Sequence, residues 1–422
     1  MPLRQKRTDR PMVVVGAGQG GLQAAESLRV EGWEGEIILF GNEKIPPYYR
    51  PPLSKDALME PLDVASIVLK TPEAIASKGI DMRLGMLVTA IDRAKREVTL
   101  ADGTVQPYEG LVIATGGRNR GLPVPGGSSP YITSIRGIDD TYKFIERLVK
   151  AETVVVIGAG FVGLEIAACC RLNGKDVTVV ERADRVLSRA VSPIISETYA
   201  RLHRENGVVL ELNAAVTEII LDAEDKPKAV KLSDGRTLAA DLVVAGIGLI
   251  PNDELGVAAG LPCQHGIIVD ACARTADPDI VAIGDCTATS VQPGMPLHRL
   301  ESVQNAVEQA KAGAAALMGV ERPFNVAPWF WSDQYDVKLQ IVGLSAGYDQ
   351  MVVRGDASGY KFSVFYFKDG VFLGADSLSR GGDHMAARKM LDRGLAFTPE
   401  MAADETFNLA QYVKTAPAVA AE

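Results

Sequence analysis

PMVVVGAGQGGLQAAESLR, from Pro11 to Arg29, and TVVVIGAGFVGLEIAACCR, from Thr153 to Arg171, are one pattern written twice in this chain. In each copy a β-branched run suited to a strand buried on both faces leads into glycines, then into an Ala- and Leu-rich stretch suited to a helix. The glycines fall as Gly16-x-Gly18-x-x-Gly21 and Gly158-x-Gly160-x-x-Gly163. With that spacing the first glycine permits a tight turn, the second lets a pyrophosphate approach the backbone, and the third brings helix and strand together. The N-terminus of the following helix offers N–H groups and a positive dipole end to phosphate. One such motif is a weak signal. Two, each between a strand and a helix, predict two dinucleotide sites.

The strands that follow carry the same texture: EIILF ending at Phe40, GLVIATG from Gly110, DVTVVE ending at Glu181, and DLVVAGIG from Asp241. Strands alternating with helices predict parallel sheets and an α/β class. Glu181 ends the second strand of the second copy, near the roughly 20-residue spacing of a ribose-binding acid. A carboxylate there accepts bonds from both ribose hydroxyls and repels the 2′-phosphate of NADPH, which favours NADH. Arg182, next to it, pulls the other way. After Arg322 the runs APWFWSDQYDVKLQIVG, DQMVVRG and YKFSVFYFKDGVFLGAD are joined by short turns, one of them Lys368-Asp369-Gly370, and are followed by the helical stretch HMAARKMLDRG. They predict a separate α+β domain with an antiparallel sheet. The expected domains are residues 10–115 with 248–325, residues 116–247, and residues 326–412, with 413–422 a disordered tail.

Composition bounds the function. A chain of 422 residues exceeds one hydrophobic core and predicts two or three domains. Its 47% apolar and 23% charged residues are ordinary globular usage. A net charge of -9 argues against nucleic acid as a partner. No run reaches about 18 apolar residues, so no membrane span is expected, and the start, MPLRQKRTDRP, lacks the form of a signal peptide. A cytoplasmic protein is expected. The five cysteines, Cys169, Cys170, Cys263, Cys272 and Cys286, include no C-x-x-C. They fit neither a disulfide framework nor a metal ribbon and are expected as small buried hydrophobes, with no metal site.

GLVIATGG, around Ala114, Thr115 and Gly116, and TADPDIVAIGDC, around Gly284 and Asp285, resemble the two signatures of the glutathione-reductase-like flavoprotein superfamily. The resemblance implies two Rossmann-like domains, the first and discontinuous one binding FAD and the second NADH, with Asp285 bonded to the flavin's ribityl chain. Disulfide reductases of that superfamily keep redox-active cysteines in the first domain. This chain has none before Cys169, so electrons are expected to leave the flavin directly.

The segments RPPLSK, GLEIA, GIGLIPN, RLESVQNA and PWFWSDQY resemble, more narrowly, the ferredoxin reductases of bacterial cytochrome P-450 and ring-hydroxylating dioxygenase systems. The likeness runs to about Gly394. It implies an NADH:ferredoxin oxidoreductase whose partner is a 2Fe-2S ferredoxin. It places Lys55 beside the flavin, where an ammonium stabilises negative charge on the reduced ring, Glu165 near the nicotinamide, and Trp331 over the flavin at the electron exit; Trp329 also falls at a matching position. Gly20, Val88, Arg136, Val303 and Gly248 match further cofactor contacts, and Lys311, with Lys338 near the tryptophans, marks a docking face for an acidic ferredoxin. One departure concerns FGNE: the family carries an acid where this chain has Asn42, followed by Glu43, and which of the two holds the FAD ribose stays open. Two rival readings also stay open, a flavin reductase acting on a small oxidant and a redox-controlled interaction flavoprotein, as does the oligomeric state.

Overall fold

The computed structural model describes residues 8–59, 62–290 and 297–417. The chain divides into two compact units, one of Met1–Tyr49, Val64–Arg118 and Ile250–Pro328, the other of Arg50–Asp63, Asn119–Leu249 and Trp329–Glu422.

The strand Met12–Val15 lies at the centre of the first unit, in a five-stranded parallel sheet ordered Ile280–Ala282, Gly110–Ile113, Met12–Val15, Ile37–Gly41 and Ile80–Leu84. Its four side chains alternate between faces, and both faces are covered, which is why the run is apolar throughout. Met12 and Val14 pack with Leu22, Ala25 and Leu28 of the helix Gln19–Val30 and with Ala310, Ala314 and Leu317 of the helix Val303–Leu317. Val13 and Val15 pack on the other side with Ile38, Phe40, Val98, Leu100 and Tyr108. Each fully buried Val, Leu or Phe here contributes roughly 1.5–3 kcal/mol.

The second unit repeats the plan with four parallel strands, ordered Val209–Glu211, Asp176–Val180, Thr153–Ile157 and Leu242–Ala245. Val155, Ile157 and Val243 meet Ile219, Val230 and Leu232 of a three-stranded antiparallel sheet. The same unit holds a five-stranded antiparallel sheet ordered Trp329–Gln334, Val337–Gly343, Val371–Leu378, Lys361–Lys368 and Gln350–Asp356. In the tight turn between the last two strands to be sequence neighbours, Asp369 and Gly370 both take positive φ, 50° and 76°, the geometry that matches the twist of a hairpin. The helix Gly381–Asp392 follows.

Two segments differ from expectation. Arg50–Asp63, placed by chain order inside the first domain, packs in the second unit, because Ser54 and Lys55 are bonded to Glu165 there. The tail expected from residue 413 is helical through Thr415. Val413 is buried and Arg393 caps the carbonyls of Val413 and Ala416; residues 418–422 lie outside the described residues.

Candidate functional site

Each glycine motif builds a cradle of the same shape. Gly16 donates its N–H to the Phe40 carbonyl at 2.8 Å, and Gly158 donates to the Val180 carbonyl at 2.8 Å, tying each turn to the neighbouring strand. A Cβ at Gly21 would stand 1.8 Å from the Gly16 carbonyl oxygen, and one at Gly163 2.1 Å from that of Gly158, so both third positions are fixed by packing. The middle glycines behave oppositely. A Cβ at Gly18 or Gly160 meets nothing within 4 Å, and each residue is the N-cap of a 12-residue helix whose first turn carries no acid. An open floor, bare backbone and a positive helix end fit the diphosphate of a dinucleotide, twice.

Around the first cradle, a Cβ on Gly20 would reach ordinary van der Waals contact with Ile283 and Ala306, at 3.4 to 3.6 Å, so the helix lies beside the Gly284–Cys286 turn. That turn is held by Gln309, fully buried, whose Oε1 accepts from the Gly284 N–H at 2.7 Å and the Thr287 hydroxyl at 3.2 Å; Asp285 is half-buried upon it. Val303 opens the helix capped by Ser302. The Ala114-Thr115-Gly116 segment is clasped by Asn252, which receives the Thr115 hydroxyl at 2.6 Å and donates to the Thr115 and Gly116 carbonyls at 3.0 and 2.9 Å. Sequence reasoning missed Gln309 and Asn252, although Asn252 ends the quoted GIGLIPN. Val88 turns its side chain into the core with Val98 and Leu100, leaving only its backbone for a ligand. Asn42 is exposed, while Glu43 accepts the Tyr48 hydroxyl at 2.5 Å.

Glu181 is locked to the second cradle. Its Oε2 accepts the Ala159 N–H and its Oε1 the Ala183 N–H, both at 2.8 Å. An ionised carboxylate has about four acceptor sites, so two backbone bonds fix its direction and leave capacity for a diol. Arg182 is exposed. No atom lies within 4 Å of a Cβ built on Gly248. Arg136 stands before the helix Ile138–Lys150, its N–H bonded to Asp140 and its carbonyl accepting from Arg50.

The densest chemistry lies between Ser54 and Lys55, which end the short 3₁₀ turn Pro51–Ser54, and the helix Phe161–Leu172. Glu165 is 3% exposed and pairs with Lys55, Nζ to Oε1 3.0 Å. Ser54 donates to its Oε2 at 2.7 Å and Ser332 to its Oε1 at 2.6 Å. Burial pushes the Glu165 carboxyl above the usual range, and Lys55, Ser332 and Ser54 oppose that push. Neither a solvated glutamate nor an ordinary surface lysine describes this pair. Ser54 and Ser332, unmarked in the sequence, complete it. One helical turn on, the Cys169 thiol packs 3.6 Å from the carbonyls of Ser54 and Lys55, and all five cysteines are free thiols. Trp331 is half-buried with its ring centroid 5.5 Å from Trp329 and 6.3 Å from Phe330.

Of the two lysines expected at a docking face, Lys311 pairs with Glu308 at 2.9 Å on the surface of its helix, and Lys338 is exposed on its strand. Among the described residues no helix is long and apolar enough to cross a membrane, and no group of three or more His, Cys, Asp or Glu side chains is placed to hold a metal ion.

This arrangement has known counterparts. The Pyridine nucleotide-disulphide oxidoreductase family model matches residues 10–310 and the Reductase C-terminal model residues 329–413, the latter extending past Gly394, the expected limit of the likeness. The chain is 44% identical over 398 residues to rhodocoxin reductase of Rhodococcus erythropolis, covering 94% of this chain and 93% of that one. Its fold superimposes with a TM-score of 0.92 on the ferredoxin reductase for the CYP199A2 system from Rhodopseudomonas palustris, at 44% identity, covering 96% of this chain and 99% of that one. It superimposes equally, with a TM-score of 0.92 at 40% identity, on the covalent complex of putidaredoxin reductase with putidaredoxin, covering 97% and 99%. With both cradles lying inside a match that spans most of its length, the chain belongs to the pyridine nucleotide-disulphide oxidoreductase family.

Proposed function

We propose that the protein oxidises NADH and reduces a 2Fe-2S ferredoxin through a bound FAD, the ferredoxin in turn supplying a cytochrome P-450 or a ring-hydroxylating dioxygenase. FAD, when bound, accepts two electrons as a hydride and releases them singly. The observation that carries the reading is the coexistence of two open cradles with an ion pair between Lys55 and the buried Glu165 and the absence of any cysteine before Cys169.

The first unit holds FAD over Gly18, with Asp285 kept in place by the turn that Gln309 anchors and the Thr115 segment braced by Asn252. Asn42 or Glu43 takes its ribose; Asn42 is the more accessible of the two. The second unit holds NADH over Gly160, and Glu181, aimed by two backbone bonds, takes the ribose hydroxyls and rejects a 2′-phosphate. Lys55 supplies positive charge to balance the negative charge of the reduced ring, and Glu165, held by three donors, keeps the ammonium in position. Trp331 covers the site and stands at the electron exit. Lys311 and Lys338 steer an acidic ferredoxin into a small, salt-sensitive encounter. The cytoplasm, which supplies NADH, is the expected compartment.

The test is NADH-driven reduction of cytochrome c with and without 2Fe-2S ferredoxins, across a salt series. Ferredoxin-dependent turnover that falls with salt is expected. Turnover indifferent to every ferredoxin supplied, with rapid NADH oxidation by oxygen or quinone, would replace this reading with that of a small-oxidant reductase.

A further inference from the structure

The side chain that orients Glu165 is itself oriented from further inside the second unit. Ser332, fully buried, lies 2.6 Å from Glu165 Oε1 and 3.2 Å from Gln334 Nε2. Gln334, 1% exposed, presents its Oε1 2.8 Å from Nε2 of His203, which is fully buried on the helix Pro193–Glu205. We propose that His203, Gln334 and Ser332 are positioning residues, forming a hydrogen-bond chain that runs one way and commits the Ser332 proton to Glu165, holding Glu165 as a carboxylate beside Lys55.

The direction follows from counting protons. A carboxylate only accepts, so the single hydroxyl proton of Ser332 points at Glu165. The Ser332 oxygen is then free to accept, and it faces the amide nitrogen of Gln334. The Gln334 oxygen can only accept, so the His203 Nε2 must carry the proton. Burial pushes the His203 pKa down to about 4, so the ring is neutral and has one proton to place. Its Nδ1 has no protein partner among the described residues. A bare lone pair there is tolerated better than a buried N–H without an acceptor, which favours the same tautomer independently.

The reverse chain is equally well defined. It needs the Gln334 amide turned over, His203 protonated at Nδ1, and Ser332 donating to Gln334, which leaves Glu165 at 2.6 Å only as a protonated donor. The His203 tautomer therefore reports the charge of Glu165. The other groups facing Glu165 are Lys55 and Ser54 from the Pro51 turn, with Tyr199 an electrostatic neighbour on the His203 helix that also senses Asp333 and Asp376. The role of Glu165 beside the cofactor rests on the function proposed above; the direction of the chain does not.

The chain has four histidines, so 15N-histidine labelling of the holoenzyme, with His203→Phe to assign its signals, reads the tautomer directly. A neutral, Nε2-protonated His203 from pH 6 to 8 is expected. The Nδ1-protonated form, or an imidazolium, overturns the proposal whatever the electron acceptor proves to be. In Gln334→Met and Ser332→Ala the carboxyl of Glu165 loses support. The acid limb of the pH profile for flavin reduction by NADH should then move upward by about one unit, the size of one hydrogen bond to a charged group. Ser332→Thr, which keeps the hydroxyl, should restore it. Profiles unchanged in both Gln334→Met and Ser332→Ala would sink the positioning role.

Discussion

The two strand–turn–helix copies can be laid on each other through one hydrogen bond, since Gly16 N–H to the Phe40 carbonyl corresponds to Gly158 N–H to the Val180 carbonyl. On that alignment Glu181 falls opposite Gly41, and Glu165 opposite Gln23. A Cβ on Gly41 would stand 2.6 Å from the Ala17 Cβ, so the first unit has no room for the acid that the second places on its cradle. Gln23 spends its amide on Ser27 of its own helix at 3.1 Å, whereas Glu165 is pinned by three donors from elsewhere in the chain. The glycines, which are the same, make a place for a diphosphate. Under the proposed function the residues that differ decide which dinucleotide is held, and they give the second glycine helix, not the first, a buried acid.

The sharpest way to break this comparison is at the glycines. Gly21→Val and Gly163→Val drive a side chain into the backbone of the turn and should yield no soluble protein. Gly18→Val and Gly160→Val should fold, because both residues have extended backbones with open space above. Gly18→Val is expected to purify without flavin absorbance. Gly160→Val should keep the flavin and raise the KM for NADH by about a hundredfold, near 3 kcal/mol of binding. If either variant lost the other's cofactor, the assignment of cradles would be reversed.

Next in size is the buried charge. Lys55→Met strands Glu165 and should cost about 3–5 kcal/mol at pH 8 by chemical denaturation. Because burial already raises the Glu165 carboxyl, the folded variant binds its proton more tightly than the unfolded chain does. Stability should therefore rise as pH falls through the folded-state pKa, an effect that Lys55→Met/Glu165→Gln abolishes. Gln23→Leu, the matching change in the first unit, should move stability by less than about 1 kcal/mol with no such pH dependence.

Glu181→Gln removes the charge but not the shape, and should narrow the preference of NADH over NADPH, read as a ratio of kcat/KM, by about tenfold, near 1.4 kcal/mol. An unchanged ratio would free Glu181 from that role. The smallest effect is expected at the surface. Lys338→Glu and Lys311→Glu should raise the KM for ferredoxin about two- to fivefold at low salt and vanish at high salt. Lys311, already paired with Glu308, should respond less than Lys338.

Local signals made the cradles and parallel sheets legible: glycine spacing, a β-branched run, a helix-forming run behind it. The place of Glu181 on the second cradle was legible for the same reason, since it depends on distance along the chain. The surroundings of Glu165 were not. In the strand Trp329–Gln334 the aromatic residues are half-exposed while Ser332 and Gln334 are buried, the inverse of what hydrophobic alternation predicts. Only contacts with residues more than 100 positions away explain why polar side chains occupy that inner face. The helix Leu409–Thr415 was misjudged similarly, because an Ala- and Pro-rich end conceals Val413, which docks.

The placement of Arg50–Asp63 bears on how the chain folds during synthesis. The first unit's sheet waits for Ile280–Ala282 and the helix Val303–Leu317, and the second unit takes pieces from both sides of that wait. Neither can be finished from one contiguous length of chain. At about 5–20 residues per second, tens of seconds of translation separate Met12 from its last sheet neighbour and Lys55 from Ser332. Contacts of such separation slow folding, so the nascent chain spends that interval with apolar parallel strands unpaired, and it is then that a chaperone has most to cover.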